Sequence, residues 1–248
     1  MGLIDFHAHL EASLPASDRL LAAADRYQIE QIAVVAGRLL TPQVLSRQMA
    51  NGCGQAVEAP NRELLQICHT SGGRLLPFYF ANPHSTVNEY VAIGAEFVGL
   101  KLGPAIHGIA LTDASNRMFI EMAQQFQHPV YLHCLPRVGF DVEALRRLAC
   151  VYPRVQFILG HAGIGNCDFH AVDGIREFSN IAFETSGGFS SVVTYALSQL
   201  GRERILFGTE YPLQDPSLEI AKMRSVDLSE SQLNENARRL LKLEVARG

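Results

Sequence analysis

The chain has 248 residues, 48% of them hydrophobic, and a formal net charge of −4. That is enough apolar sequence for one sizeable core, and without a Lys/Arg cluster it lacks the electrostatic footprint of a nucleic-acid binder. No apolar run reaches the length of a transmembrane helix, and the N-terminus lacks the basic flank and cleavage site of a secretory leader. Five cysteines, Cys53, Cys68, Cys134, Cys150 and Cys167, form no Cys-x-x-Cys pair. The expectation is a cytoplasmic protein in a reducing compartment, with a small-molecule substrate and no nucleic-acid or membrane partner. Cys150, in "LRRLACVYP", reads as a core residue of its helix.

In chain order, eight short runs rich in Val, Ile, Leu and Phe read as strands: "GLIDFHAH" (2–9), "QIAVVAG" (31–37), "LLPFYFA" (75–81), "FVGLKLG" (97–103), "PVYLHC" (129–134), "VQFILGHAG" (155–163), "IAFETSG" (181–187) and "ILFGTEYP" (205–212). Between them lie segments of helical period: "DRLLAAADRYQ" after the first, one or two helices within 42–70, "TVNEYVAIG", "NRMFIEMAQQF", "VEALRRLACVY", "FHAVDGIREF" and "SVVTYALSQLG". A helical pair from Ser217 closes the sequence. Apolar strands with little alternation, separated by amphipathic helices, predict a parallel sheet covered on both faces. Eight such units predict a closed (β/α)8 TIM barrel, α/β in class, as a single domain over 1–248. An open doubly wound sheet usually carries a Gly-rich phosphate loop after its first strand, and here "HAHLEAS" stands in that place.

In "IDFHAHL" (4–10), strand alternation puts Asp5, His7 and His9 on one face. Two imidazoles at i and i+2, roughly 6.6 Å apart along the strand, can hold one ion between them. In a barrel the chemistry gathers at the C-terminal ends of the strands. His7 and His9 end the first strand, His133 the fifth, His161 the sixth and Glu210 the eighth. Closure brings strand eight beside strand one, so Glu210 is expected next to the His pair. Nitrogen donors with one carboxylate suit a divalent ion, Zn²⁺ first, with Mn²⁺, Fe²⁺ or Co²⁺ as alternatives.

The motifs "IDFHAHL", "GLKLGP" followed by "LTD", "PVYLHC", "ILGHAG", "LFGTEYP" and the closing "LSESQLNENARRLLKL" resemble the amidohydrolase superfamily. Within it they resemble the amidohydrolase-related TIM-barrel branch that includes aminocarboxymuconate semialdehyde decarboxylase. The resemblance implies that His7, His9 and His133 ligate the metal with the strand-eight acid, and that His161 polarises or deprotonates the metal-bound water. It implies hydrolysis of a small amide, lactone or ester. Non-oxidative decarboxylation of an unsaturated or aromatic acid is the alternative, and a homodimer is common in the group.

Two departures from the family pattern stand out. The strand-eight acid, usually Asp, is Glu210 here, longer by roughly 1.5 Å. It coordinates by folding back, or stands beyond the metal as an acid or base; a degenerate, non-catalytic barrel is the third possibility. Gly103 follows strand four where relatives often carry His. Lys101, inward by alternation from Gly99, is either a carbamylated metal bridge or a buried lysine that contacts substrate or a carboxylate. His84 and His107, on loops after strands three and four, and Arg137, able to pair with a substrate carboxylate, are candidate substrate contacts. No role is expected for His69, His128 or His170, and Glu11 reads as a loop charge.

Overall fold

The computed structural model describes residues 2–243. Among them are eight strands: β1 (Leu3–Leu10), β2 (Ile29–Ala36), β3 (Leu75–Phe80), β4 (Gly99–Leu102), β5 (Val130–Leu132), β6 (Phe157–Leu159), β7 (Ile181–Glu184) and β8 (Ile205–Leu206). They form one sheet in sequence order, every adjacent pair parallel. The ring closes between its first and last members through backbone hydrogen bonds, Phe6 N to Phe207 O (2.8 Å), Glu210 N to His7 O (3.0 Å) and His9 N to Tyr211 O (2.7 Å). The architecture is the expected (β/α)8 barrel.

Parallel strands covered on both faces need apolar side chains on both, and β3, "LLPFYF", is buried at every position. In the short strands β5 to β8, Tyr131, Ile158, Ala182 and Leu206 pack with Phe78 and Phe80 inside the barrel. Their neighbours Val130, Leu132, Phe157, Phe183 and Ile205 pack outward on the helices.

The helical layer comprises α1 (Leu14–Arg26), α2 (Pro42–Asn51), α3 (Asn61–Thr70), α4 (Asn88–Ile93), α5 (Pro104–His107), α6 (Ala114–Phe126), α7 (Val142–Val151), α8 (Phe169–Ile175), α9 (Ser190–Leu200), α10 (Pro216–Ser225) and α11 (Glu230–Leu241). The passage 42–70 holds two helices, and the closing pair is present. The single turn α5 has no periodicity to announce it; Pro104 starts it and Gly108, at φ 67°, ends it. Helix α7 is capped by Asp141, whose side chain accepts from Ala144 N, and it buries Val142, Leu145, Leu148 and Ala149. Cys150 lies off that face and is exposed, correcting its reading as core. None of the described helices is long and apolar enough to cross a membrane.

β1 departs from strict alternation. Its register against β2 slips between Asp5 and Ala8, where four residues of β1 face Ile32–Val34. Asp5 therefore does not join His7 and His9. Its carboxylate accepts from His7 N (3.0 Å), Thr209 N (3.0 Å) and Thr209 Oγ1 (2.5 Å), pinning β1 to the segment after β8. Burial pushes the Asp5 carboxyl up to about 8, against the opposing pull of those hydrogen bonds.

Candidate metal centre

The strand ends place His7, His9, His133, His161 and Glu210 on one rim of the barrel. His161 and Glu210 both adopt left-handed backbone conformations, φ 57° and 58°. For a non-glycine residue this costs of order 1–3 kcal/mol, and such strain collects where side chains are aimed at a task. Here it turns the chain at the ends of β6 and β8 so that both side chains enter the mouth.

The Glu210 carboxylate sits among three imidazoles. Its Oε2 lies 3.0 Å from His161 Nδ1 and 3.2 Å from His7 Nε2, and its Oε1 lies 3.3 Å from His9 Nε2. The added length of Glu over Asp is taken up by reaching between the rings. His133 stands behind, its ring centroid 4.9 Å from that of His161.

These residues fit a divalent cation. His7 Nε2 and Glu210 Oε2 are both buried and neither has a hydrogen-bond partner, although they face each other. Two ligand atoms, each about 2.1 Å from one tetrahedral ion, stand roughly 3.4 Å apart, close to the observed separations. Donor atoms of His7, His161 and Glu210 lie within 4.8 Å of one another. Charge states agree as well. Burial, then Lys101, pulls the His7 imidazole well below its usual range, and burial with His161 and Lys101 does the same to His133. Burial raises the Glu210 carboxyl, but His161, His7 and His9 outweigh it and hold it well below the carboxylate range. A neutral His7, a neutral His133 and an ionised Glu210 are the forms that ligate.

A second carboxylate, which the sequence reading passed over, lies beneath. Glu184, at the end of β7, is fully buried. Its Oε2 accepts from Tyr131 OH (2.6 Å), Ser186 Oγ (2.8 Å) and His161 N (3.1 Å), and its Oε1 accepts from Ser186 N (2.6 Å). Ser186 Oγ is also 3.1 Å from His161 Nδ1. Two glycines leave room for this network. A Cβ on Gly208 would meet Glu184 Oε1 at 2.4 Å, and one on Gly160 would meet the Tyr131 ring at 2.3 Å. The strand-end rule that picked out His161 would have found Glu184 too, since it ends its own strand.

Lys101 is buried inside the barrel, its Nζ 3.9 Å above the Tyr131 ring, which stacks on His7 at 4.2 Å between centroids. Burial pulls the ammonium down to about 7, Glu210 and Glu184 acting in the opposite direction. The other candidates lie apart from the imidazoles. Arg137 donates to Gly52 O (2.8 Å) and covers Phe140. His84 Nε2 meets His107 O (2.8 Å), and His107 Nε2 meets Val57 O (3.1 Å), which stitches the loops after β3 and β4 to the segment before α3.

A model of the amidohydrolase family matches residues 4–243. No curated protein matches the chain. Among solved structures, a 5-carboxyvanillate decarboxylase from Novosphingobium aromaticivorans with bound manganese is similar at TM-score 0.71 and 16% identity, covering 97% of each chain. A 2,6-dihydroxybenzoate decarboxylase from Rhizobium is similar at TM-score 0.69 and 20% identity, over 98% of this chain and 99% of that one. A protein described as a probable 2-pyrone-4,6-dicarboxylic acid hydrolase, from Acinetobacter baumannii, is similar at TM-score 0.67 and 17% identity, over 98% and 100%.

Proposed function

The chain belongs to the amidohydrolase family, and on that premise we propose that it is a metal-dependent enzyme that decarboxylates a small aromatic or unsaturated acid without oxidation. The observation that carries this reading is Lys101. It is a buried ammonium beside the metal centre that forms no ion pair or hydrogen bond with any described residue. An unpaired cation in a buried site is costly unless an anion meets it, and an acid substrate brings that anion. A carboxylate docked on Lys101 would favour its charged form, lifting it from about 7.

His7, His9, His133 and Glu210 would hold the ion. A divalent cation held there would supply Lewis-acid chemistry, withdrawing electron density as CO₂ departs. Glu210, with both oxygens facing imidazoles, has none turned clear of them to act as a base. His161 Nε2 has no hydrogen-bond partner among the described residues and is the nitrogen available for proton transfer. When the carbon–carboxylate bond breaks, CO₂ leaves and the electron pair remains on the carbon. That carbon takes a proton that His161 Nε2 first accepts from solvent, so the ring ends the cycle neutral, as it began. Val138, Phe189 and Leu213 are exposed apolar side chains on the loops that follow β5, β7 and β8.

The similar decarboxylase structures support this reaction over the hydrolysis that the sequence suggests first, and the bound manganese in one of them sets Mn²⁺ beside Zn²⁺ as the candidate ion. Hydrolysis stands second, favoured by the same free His161 Nε2, which can take a proton from water, and by the likeness to a protein described as a probable 2-pyrone-4,6-dicarboxylic acid hydrolase. The test is a panel of hydroxybenzoic acids and of lactones and esters, offered to protein loaded with Mn²⁺ or Zn²⁺. Release of CO₂ from the acids is expected. Lactone or ester opening with no CO₂ from any acid would overturn the reading.

A further inference from the structure

Hydrogen-bond direction around Glu184 fixes where protons sit. As a carboxylate Glu184 only accepts, and four donors converge on it, from Tyr131, from Ser186 twice and from His161 N. The single hydroxyl proton of Ser186 is committed to Glu184 Oε2 at 2.8 Å. Toward His161 the Ser186 oxygen can then offer only a lone pair. At 3.1 Å it faces His161 Nδ1, which also faces Glu210 Oε2 at 3.0 Å. A hydrogen bond from this ring nitrogen to an oxygen lone pair requires the nitrogen to carry the hydrogen.

We infer that Glu184 and Ser186 are positioning residues that lock His161 in the tautomer protonated at Nδ1, so that Nε2 is the nitrogen presented to substrate. The lock has two parts. Glu184 orients the hydroxyl of Ser186, and it holds the backbone of the left-handed His161 through the amide N–H. An Nδ1 that bears hydrogen has no lone pair for a cation. His161 therefore stands beside the ion as a proton carrier, although its Nδ1 lies within ligand range of His7 and Glu210. The inference rests on the metal-centre reading but not on the choice between decarboxylation and hydrolysis, since either uses a free Nε2.

The test is nitrogen-15 NMR of the histidine rings in the full chain, with the His161 resonances assigned by their loss in His161→Gln. No turnover is measured, so the result is independent of whether the proposed reaction occurs. In the wild-type protein without metal, His161 is expected to show a pyrrole-type Nδ1 and a pyridine-type Nε2. Titration with Zn²⁺ is expected to shift His7 and His9 and leave the His161 pattern in place. In Ser186→Ala loaded with Zn²⁺, the His161 signals are expected to move toward the average of two tautomers. A pyridine-type Nδ1 at His161, an Nδ1 that shifts as a ligand on Zn²⁺ addition, or a Ser186→Ala spectrum identical to wild type would each overturn the inference. The first two outcomes need only the wild-type protein.

Discussion

Tyr131 lies against His7 with ring centroids 4.2 Å apart and planes 23° from parallel, while its hydroxyl donates to Glu184 at 2.6 Å. One side chain thus connects an imidazole of the candidate metal centre to the buried carboxylate beneath it. Removing the hydroxyl alone, in Tyr131→Phe, is expected to preserve the stack and to cost about 1–3 kcal/mol of stability, because Glu184 loses a donor it cannot replace from solvent. Tyr131→Ala removes the stack as well, and metal affinity is expected to fall by roughly 10–100-fold, as for other groups that support a ligand. Denaturant unfolding and chelator competition measure the two effects separately.

Because the Glu210 carboxylate touches three imidazoles, its charge matters more than its hydrogen bonds. Glu210→Gln is expected to lower metal affinity by more than the ~10–100-fold of a supporting group, and Glu210→Asp to retain the ion. The double variant His7→Ala with His9→Ala is expected to stay folded and hold no metal, since both residues stand at the rim. A Gln variant with wild-type metal content would remove Glu210 from the ligand set. Near one equivalent of metal in the folded double variant would remove the His pair.

Gly160 has no room for a methyl group. Its Cβ would land 2.3 Å from the Tyr131 ring, which is itself fully buried. Gly160→Ala is expected to destabilise by about 1–3 kcal/mol through overpacking, and to weaken metal binding by displacing Tyr131 from His7. Gly165→Ala, whose Cβ would meet nothing within 4 Å, is the control and is expected to be near neutral. Equal stability of the two variants would contradict the packing argument.

Acid sensitivity has a source remote from the metal. His128 is buried between Tyr90, whose hydroxyl lies 2.7 Å from its Nδ1, and Phe126, and burial pulls it down to about 4. The unfolded chain titrates this ring near 6.5. Between those values the unfolded state binds more protons, so stability is complete above pH ~6.5 and declines as pH falls toward ~4. The loss from this residue approaches about 3 kcal/mol. His128→Gln is expected to flatten that part of the stability curve, as read by urea unfolding across the range. A slope unchanged by the substitution would contradict it.

The barrel was legible because its signal is repeated, with apolar runs and amphipathic helices alternating from "GLIDFHAH" to "ILFGTEYP". Each run overlaps a strand. That His7, His9, His161 and Glu210 would stand close together was legible for a related reason, because the end of a parallel strand is a position that chain order alone can find. Glu184 sits at the same kind of position, but a single acid in "IAFETSG" carries no spacing motif, and its importance comes from Tyr131 and Ser186, which only the fold brings to it. The surroundings of the loop residues were not legible. Arg137, His84 and His107 follow strands closely in sequence, yet the unpredicted turn α5 and the path of residues 52–60 determine where they go. The slip in β1 was likewise invisible, because it is set by how Asp5 meets Thr209 from the far end of the chain.

That meeting gives the barrel a seam. Asp5 and Thr209 are 204 residues apart in sequence, and around them β8 and its following loop are fastened to β1 by three backbone hydrogen bonds. His7 and His9 lie on one side of the seam and Glu210 on the other, so an ion they share would be a clasp between the two ends of the fold, cross-linking a loop of nearly the whole chain. Such a clasp stabilises the closed ring in proportion to its occupancy. Stripping the ion would then do more than silence chemistry. It would unfasten the hem, and amide exchange is expected to quicken first along residues 4–10 and 205–211 while β3 and β4, which carry no ligand, keep their protection.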